Sequence, residues 1–277
     1  MIKFIEQEPY SAIVHTYDVE GILYKGKSKY QEIMVIDNPF FGRMLLLDNI
    51  VQITQRDEFF YHEMLTHVGM YAHPQPRRVV VIGGGDGGVV REVLKHKGVE
   101  KVYFVEIDEM VINVSRRYFP DVAIAVDDPR VEIKTMDGAE FIKGISNIDL
   151  VIVDSTDIIG FARTLFTKEF FLAVSNCMGR DGIFVTHTES LHLHKDIVIE
   201  MQEGLRVVFP VVDLYTMAIA TYPGNWWAFA IGSKELNPRQ CRRPFDIDTK
   251  YYDQEIHAQA FLTPGFYKKL LNRQLQW

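Results

Sequence analysis

The stretch from Val79 to Asp157 constrains the fold more than any other part of the chain. It contains four apolar runs, VVVIGG, VYFVEID, VEIKTMDG and LVIVDSTD, and each run ends in acidic or glycine residues. Consecutive parallel strands of an α/β sheet show this pattern when a ligand lies across their carboxyl ends. We therefore predict that three strand ends hold a nucleoside and that the fourth holds a cation or a catalytic base. This arrangement favours an enzyme over a bare nucleotide binder.

The sequence before this stretch has a different pattern. Residues 11–60 are rich in β-forming side chains with Gly and Asn-Pro breaks, which predicts a small antiparallel sheet of hairpins. Residues 57–72 have apolar positions at helical spacing, so we expect a connecting helix there. Strands and helices are predicted to alternate from Arg78 onward, and a terminal helix should follow a Pro-Gly break. We predict an N-terminal β-sheet domain over residues 1–56 and an α/β catalytic domain over residues 57–277.

Charge and composition exclude several classes of protein. The 277 residues carry a net charge of −7, which provides no basic surface for nucleic acid. No uninterrupted apolar stretch is long enough to span a bilayer, and the first residues lack the apolar core of a signal peptide. The two cysteines, Cys177 and Cys241, are then expected to be reduced thiols. We expect a cytoplasmic protein that binds neither nucleic acid nor membrane.

A glycine-rich segment, GGGDGG, follows the first of the four runs and precedes a helical pattern. It contains Gly83 and Gly85, and glycine lets the backbone turn sharply and approach a ligand closely. Asp86 lies inside this segment, where it would repel the phosphate of a dinucleotide. We therefore expect a ligand that lacks phosphate and has a positive charge near Asp86. The alternative is a tight strand-to-helix turn without a ligand.

Acidic residues also follow the next two strands. Glu106 ends the run KVYFVE, and a carboxylate there can accept hydrogen bonds from both hydroxyls of a ribose. Asp137 and Gly138 end the following run, and this carboxylate can accept from the exocyclic amine of an adenine. Either acid alone could be a solvated loop residue. Acids at successive strand ends instead favour one shared ligand.

Two carboxylates, Asp154 and Asp157, close the fourth run. Together they would form a site for an ammonium group, because hydrogen bonds from N⁺–H to carboxylate are strong. One of them could also take a proton from an amine as the amine becomes a nucleophile. A methyltransferase could carry one acid at this place but has no evident use for both. For Asp157 an N-cap or turn role is the alternative.

The chain resembles the polyamine aminopropyltransferases, the family that includes the spermidine synthases. The resemblance extends from KSKYQEIMV through GRMLLLDNIVQITQRDEFFYHEMLTHV, IGGGDGG, VEID, DDPRVEI, DGAEF and VDSTD to TYPG and KYYDQEIHAQAFLTPGF. It implies a Rossmann-like, methyltransferase-type doubly wound sheet behind a small N-terminal antiparallel β-sheet domain, usually in dimers or tetramers. It also implies transfer of an aminopropyl group from decarboxylated S-adenosylmethionine to a diamine, without a metal or other cofactor.

The resemblance assigns a role to each matching residue. Asp154 corresponds to the proton acceptor. The donor would be held by Gln31, Gly83, Gly85, Asp86, Glu106, Asp137 and Gly138. The amine would be held by Gln52, Tyr61, His62, Asp154, Asp157 and Tyr222.

Departures from the family pattern fall where the acceptor amine would lie. Ile158 and Phe161 stand where prolines are common, His187 stands where glutamine is frequent, and Ala220 and Trp226 are also unusual. Aminopropyl transfer is therefore better supported than putrescine as the acceptor, and agmatine or a diamine of another length stays open. A methyltransferase using S-adenosylmethionine and a non-catalytic nucleoside-binding protein are the remaining alternatives.

A cluster of histidines in HTESLHLH raises the question of a metal site. His187, His192 and His194 have no accompanying cysteine cluster, and their spacing fits no familiar zinc motif. We therefore predict that no metal is bound.

Overall fold

The computed structural model describes residues 2–156 and 160–277, without the side chains of residues 160–162. The N-terminal strands are β1 (Ile2–Gln7), β2 (Val14–Val19), β3 (Gly21–Lys27), β4 (Glu32–Asn38), β5 (Gly42–Leu47) and β6 (Ile50–Thr54). They form two antiparallel sheets, β1–β2 and β3–β4–β5–β6, rather than the one sheet expected over residues 11–60. The pattern of β1 gave no strand signal because Ile2 and Ile5, which point to opposite faces, are both exposed.

Helix α1 (Glu58–Ala72) connects these sheets to the rest of the chain, as predicted. Strands and helices then alternate as β7 (Arg78–Gly83), α2 (Gly88–Lys95), β8 (Lys101–Glu106), α3 (Glu109–Tyr118), β9 (Val131–Thr135), α4 (Gly138–Lys143), β10 (Ile148–Asp154), α5 (Lys168–Cys177), β11 (Met178–Ser190) and α6 (Lys195–Arg206). The chain ends with β12 (Val211–Ala218), β13 (Trp226–Ser233), α7 (Gln254–Ala260) and α8 (Pro264–Leu271). Short 3₁₀ helices span Ala123–Ala125 and Gly160–Phe166.

The large sheet has seven strands in the order β12-β13-β11-β10-β7-β8-β9. Strands β7 to β11 run parallel, whereas β13 is antiparallel to both β11 and β12. Register places Asp154 beside Gly83, and Glu106 beside Thr135. The order of strands reverses between β7 and β10, and ligands of open α/β sheets bind at such a point. The sheet therefore brings the four predicted strand ends to one edge.

Helices cover both faces of this sheet. Val79 and Val81 pack with α1 and α2 on one face, whereas Val80 and Ile82 pack with α5 and α6 on the other. The continuous apolar sequence of β7 follows from this burial on both faces. The four-stranded sheet packs against α3 through a separate cluster that includes Ile33. It thereby lies over the carboxyl edge of the large sheet.

The C-terminal helix differs from its prediction in one respect. Pro264 and Gly265 do not precede the helix but form the first turn of α8. Proline is tolerated there because backbone N–H groups in the first turn of a helix have no partner within the helix. None of the helices in the described residues is long and apolar enough to cross a membrane.

Candidate active site

A cavity of about 420 Å³ lies between the carboxyl edge of the large sheet and the N-terminal sheets. Most of the predicted site residues line it. They are Gln31, Gln52, Tyr61, Gly83, Gly85, Asp86, Glu106, Asp137, Gly138, Asp154 and Tyr222. Asp157 and Ile158 lie outside the described residues.

The glycine segment after β7 allows the backbone to pass close to Asp154. Gly83 and Gly84 have positive φ angles of 79° and 67°. A Cβ at Gly83 would lie 2.2 Å from the carbonyl oxygen of Asp154, and one at Gly84 would lie 2.5 Å from its Oδ2. A side chain at Gly83 would therefore displace the backbone of Asp154, and one at Gly84 would displace its carboxylate.

Glu106 lies at the end of β8 and is almost fully buried. Its Oε1 accepts a hydrogen bond of 2.9 Å from the backbone N–H of Asp108. Burial raises the pKa of Glu106 to about 7, and the neighbouring charge of Asp108 acts in the same direction. The Asp108 carboxylate in turn accepts from Gln31 Nε2 at 2.9 Å and from Ser28 Oγ at 2.6 Å. The predicted Gln31 is thus fixed by Asp108, a residue that our sequence analysis did not identify.

Asp137 and Gly138 lie at the start of α4. Asp137 accepts a 2.7 Å hydrogen bond from the N–H of Ala139 and so caps the helix. A Cβ on Gly138 would lie 2.2 Å from the Ile82 side chain, so glycine is required for this close packing. The second oxygen of Asp137 is not used by the cap, which leaves it for a ligand.

Asp154 ends β10 at the centre of the cavity wall and is 8% exposed. Tyr61 donates a hydrogen bond of 2.7 Å to its Oδ1, and its Oδ2 has no hydrogen-bond partner among the described residues. Burial raises the pKa of Asp154 to about 7, and the negative charge of Asp86 adds to this effect. The carboxylate is therefore well suited to exchange a proton near neutral pH.

Asp86 is also buried, but its pKa is lowered whereas that of Asp154 is raised. Its Oδ1 accepts from the N–H of Gly88 at 2.7 Å and lies 3.1 Å from His62 Nε2. Burial opposes its ionisation, but the His62 cation and these contacts outweigh burial and lower the pKa of Asp86. Burial likewise opposes the charge of His62, yet Asp86 and Glu58 raise its pKa to about 10. Asp86 is therefore an anion beside a titrating Asp154.

His62 does not contact the cavity, contrary to the predicted amine-binding role. It is fully buried behind Asp86, and its Nδ1 lies 2.6 Å from Glu58 Oε2. Ligand atoms of His62, Asp86 and Asp154 lie within 4.8 Å of one another, which is a spacing that can hold a cation. A protonated imidazole offers no lone pair to a metal. The cluster is therefore better suited to an ammonium group, bound by the two carboxylates.

Aromatic side chains form the wall beyond Asp154. Tyr222 donates a 2.6 Å hydrogen bond to the carbonyl of Gln52, and its ring centroid lies 5.5 Å from that of Tyr61 and 4.7 Å from that of Trp227. His187 stacks on Trp227 with centroids 6.0 Å apart. Burial lowers the pKa of His187 to about 4, so it presents a neutral side chain to the cavity.

Three buried acids on this side of the cavity were missed by sequence analysis. Glu6 accepts from the N–H of Val51 at 2.7 Å. Glu8 lies 2.9 Å from His194 Nε2, and Glu189 lies 3.7 Å from its Nδ1. Glu189 lies at the carboxyl end of β11, the fifth parallel strand, so the rule that found the other acids would also have found it. No local pattern signals Glu6 or Glu8, because long-range contacts bring them to the site.

The chain is similar to several known proteins. A family model described as "Spermine/spermidine synthase domain" matches residues 58–241, and one described as "Spermidine synthase tetramerisation domain" matches residues 2–55. The polyamine aminopropyltransferase of Hydrogenobaculum sp. is 51% identical over 277 residues, which are 100% of this chain and 99% of the relative. Polyamine aminopropyltransferase 1 of Aquifex aeolicus is 49% identical over 277 residues, with coverage of 100% and 99%.

Solved structures show the same fold. A crystal structure of spermidine synthase in complex with the transition state analogue AdoDATO has a TM-score of 0.94 at 36% identity and covers 98% of this chain and 95% of that chain. The spermidine synthase from Thermotoga maritima has a TM-score of 0.93 at 36% identity and covers 99% and 95%.

The fold and these structures first define a class, that of enzymes with a Rossmann-like α/β sheet behind small N-terminal antiparallel sheets. The match over residues 58–241 and the near full-length relatives then define the family. The chain belongs to the spermine/spermidine synthase family and is a polyamine aminopropyltransferase.

Proposed function

We propose that the enzyme transfers the aminopropyl group of decarboxylated S-adenosylmethionine to a diamine, with putrescine as the acceptor and spermidine and methylthioadenosine as products. One observation carries this proposal. Two buried carboxylates share the cavity wall. His62 holds Asp86 as an anion, whereas Asp154 has a pKa of about 7 and an oxygen without a hydrogen-bond partner in the described part of the chain. Such a pair suits a reaction that binds an ammonium group and removes a proton from another.

The donor occupies the edge formed by the ends of β7, β8 and β9 in this proposal. Glu106 accepts from the ribose hydroxyls, Asp137 and Gly138 contact the adenine, and Asp86 binds the ammonium of the aminopropyl arm. Gly83 and Gly85 leave room for the thioether part, and Gln31 closes the side that faces the N-terminal sheet. The burial of Glu106 and the charged state of Asp86 support these assignments.

The reaction is a displacement at carbon. The attacking amine first gives a proton to Asp154, and Tyr61 holds that carboxylate through its hydrogen bond. The nitrogen lone pair then forms a bond to the propyl carbon attached to the sulfonium. The C–S bond breaks, its electron pair stays on sulfur, and neutral methylthioadenosine leaves. No metal or further cofactor enters the proposed reaction.

A second cation on the acceptor is favoured by the far wall of the cavity. Glu8 and Glu189 are buried there, and Tyr222 and Trp227 provide apolar surface for a methylene chain. We propose that this wall binds the distal ammonium and that Gln52 and Asp157 contribute to amine binding. The stacked His187 and Trp227 also suit the planar guanidinium of agmatine, which is the second candidate acceptor.

The assembly is proposed to be a homodimer or homotetramer. Residues 2–55 match the tetramerisation model, and the exposed Ile2, Ile5 and Val14 place apolar side chains on the β1–β2 sheet. This supports an N-terminal oligomerisation domain over residues 1–56 and a catalytic domain over residues 57–277. Sedimentation velocity of the whole chain tests the assembly, and a monomer at micromolar concentration would contradict it.

Product analysis tests the proposed reaction. The enzyme is incubated with decarboxylated S-adenosylmethionine and putrescine, cadaverine, agmatine, spermidine or butylamine in turn, and the products are identified by mass spectrometry. We expect spermidine and methylthioadenosine from putrescine at the highest kcat/KM. Preference for agmatine would replace the acceptor, and methyl transfer from S-adenosylmethionine with no aminopropyl product would refute the function.

A further inference from the structure

A row of charged side chains runs from the surface of α2 to the wall of the cavity. Arg91 donates to both oxygens of Glu58, at 3.0 Å and 2.8 Å. Glu58 Oε2 lies 2.6 Å from His62 Nδ1, and His62 Nε2 lies 3.1 Å from Asp86 Oδ1. Charge alternates along this row and ends on the residue that we expect to bind the donor ammonium.

His62 has no access to either substrate. Its side chain is 0% exposed, and both ring nitrogens face carboxylates. The ring lies directly against the backbone of α2, where a Cβ on Gly88 would come within 2.2 Å of it. His62 therefore acts on the reaction only through its charge, which stabilises the neighbouring Asp86 carboxylate and also lowers the pKa of Asp154.

We propose that Arg91, Glu58 and His62 form a fixed charge relay that keeps Asp86 ionised and leaves Asp154 as the carboxylate that takes the proton. In this role His62 is a positioning residue. The proposal rests on the proposed function, because it divides donor binding and proton acceptance between the two carboxylates.

The relay is needed because Asp86 and Asp154 would otherwise compete for a proton. Two carboxylates a few ångströms apart do not both ionise easily, and without a cation they share one proton. The fixed imidazolium removes this competition at Asp86. The His62 imidazolium stays charged although it is buried, because Asp86 and Glu58 together raise the pKa of His62 to about 10. Glu58 is itself held as an anion by His62 and Arg91, which lower its pKa to about 2 although burial opposes this.

Among the residues that the structure describes, the other titratable groups near the pair do not supply this positive charge. These groups are Tyr61 from α1, Glu106 from β8, His187 from β11 and Tyr222 from the loop after β12. Burial raises the pKa of Tyr61 and lowers that of His187 to about 4, so neither is charged at neutral pH. Glu106 adds negative charge when it ionises.

The first test is the pH dependence of kcat/KM for the donor in His62→Gln, expressed as a ratio to wild type. The ratio cancels the titration of the acceptor amine, which both enzymes share. The acid limb is the part of the pH profile in which kcat/KM falls as the pH decreases. Loss of the imidazolium should shift this limb to higher pH by about one to two units. The kcat/KM of the variant relative to wild type should then be roughly 10–100-fold lower at about pH 6 and should recover at about pH 9.5. Methylthioadenosine, which has no ammonium, should bind both proteins equally.

His67→Gln is the matched control. His67 is another fully buried histidine on α1, and it contacts Glu92 and His96 at 3.0 Å instead of Asp86. This variant removes an imidazole of the same size from the same helix and should leave the position of the acid limb unchanged. An equal loss at every pH in His62→Gln, or a shift of the same size in His67→Gln, would overturn the relay.

A spectroscopic measurement keeps the proposal testable if His62→Gln does not fold. In wild-type enzyme with ¹⁵N-labelled histidine, both His62 nitrogens should show imidazolium shifts at about pH 8. Glu58→Gln keeps a hydrogen-bond acceptor but removes the charge, so His62 should lose its proton at a lower pH in that variant. A neutral His62 in wild type at about pH 7.5 would refute the proposal. Absence of aminopropyl transfer by wild type would instead refute the proposed function, whatever the state of His62.

Discussion

The two ends of the cavity are built in different ways. The end proposed for the donor comes mainly from one continuous stretch, residues 83–154, in which each contributing acid lies at or just after the end of a parallel strand of the same sheet, and Gln31 is added from the loop before β4. The end proposed for the acceptor combines Glu8 from the N-terminal loop, Gln52 from β6, Glu189 from β11 and Tyr222 from a late loop. The first end is encoded locally, and the second exists only once distant segments have packed together.

This difference separates what catalyses from what selects. Under the proposed function, the reaction chemistry depends on Asp86 and Asp154, whose positions at adjacent strand ends are defined by the sheet. The choice of acceptor would depend on side chains from loops and edges, which can change without disturbing the sheet. If the two ends are independent, a substitution at one should leave ligand binding at the other unchanged.

The largest effect is expected from Asp154→Asn. The amide keeps the shape of the side chain but cannot accept the proton, so kcat should fall about 10²–10⁴-fold. Donor binding at the strand ends should persist. Asp149→Asn is a control on the same strand, since Asp149 accepts from the N–H groups of Arg77 and Arg78 at the opposite end of β10. Turnover of Asp154→Asn close to that of wild type would remove this residue from proton transfer.

The next largest effect is expected in the selectivity between donors. It should depend only on the end of the cavity proposed for the donor. S-adenosylmethionine carries a carboxylate beside the ammonium that Asp86 is proposed to bind, and two like charges in a buried site repel each other strongly. Binding of the intact molecule should be weaker by several kcal/mol, or roughly 10²–10³-fold. Competition against methylthioadenosine binding measures this ratio. Equal affinities would show that Asp86 does not meet the ammonium arm.

The strand ends could be predicted from sequence because apolar runs and the residues after them are neighbours in the chain. Asp86, Glu106, Asp137 and Asp154 all lie on the cavity wall for this reason. His62 was predicted at the correct place in the fold but with the wrong contacts, because spacing along α1 cannot show that Asp86 lies between His62 and the cavity.

The remaining features depend on the folded chain. Glu6 and Glu8 reach the site only through the pairing of β1 with β2 and through contacts with β6 and His194. The relay likewise requires α1 to pack against α2, which brings Glu58 to Arg91 across 33 residues of sequence. A single sequence contains no local pattern for either of these long-range contacts.

A smaller, pH-dependent effect is expected at Glu106. Its pKa of about 7 lies above the ordinary value, so the carboxylate form that accepts from the ribose is lost as the pH falls through 7. Affinity for methylthioadenosine should therefore be greatest at alkaline pH and should decline by up to about tenfold per pH unit below 7. Glu106→Gln should lower the affinity at about pH 8 by about 1–3 kcal/mol and abolish the slope. Calorimetry at several pH values measures both, and a flat wild-type profile would contradict the ribose assignment.

The smallest effect, and the one that tests the second end, is expected from Glu8→Gln. Glu8 is 3% exposed and lies beside His194, whose pKa is lowered by burial although Glu8 opposes this. His194 is therefore neutral in an assay at alkaline pH, so it does not neutralise Glu8, and a distal ammonium would gain from the Glu8 charge. Removing the charge should raise KM for putrescine about 3–10-fold and leave the affinity for methylthioadenosine unchanged. A fully formed hydrogen bond to a charged group contributes about 1.5–3 kcal/mol. The loss should be smaller here because the glutamine side chain can still accept a hydrogen bond from the ammonium.

Butylamine separates the distal charge from chain length in this experiment. It has the same four carbons as putrescine but no second ammonium, so its KM should be insensitive to Glu8→Gln. Glu20→Gln, at an exposed position after β2, is the control for a change of net charge. If Glu8→Gln raises KM equally for putrescine and butylamine, the effect comes from packing and the far wall does not recognise a second cation. If it weakens methylthioadenosine binding as well, the two ends of the cavity are coupled and their independence is lost.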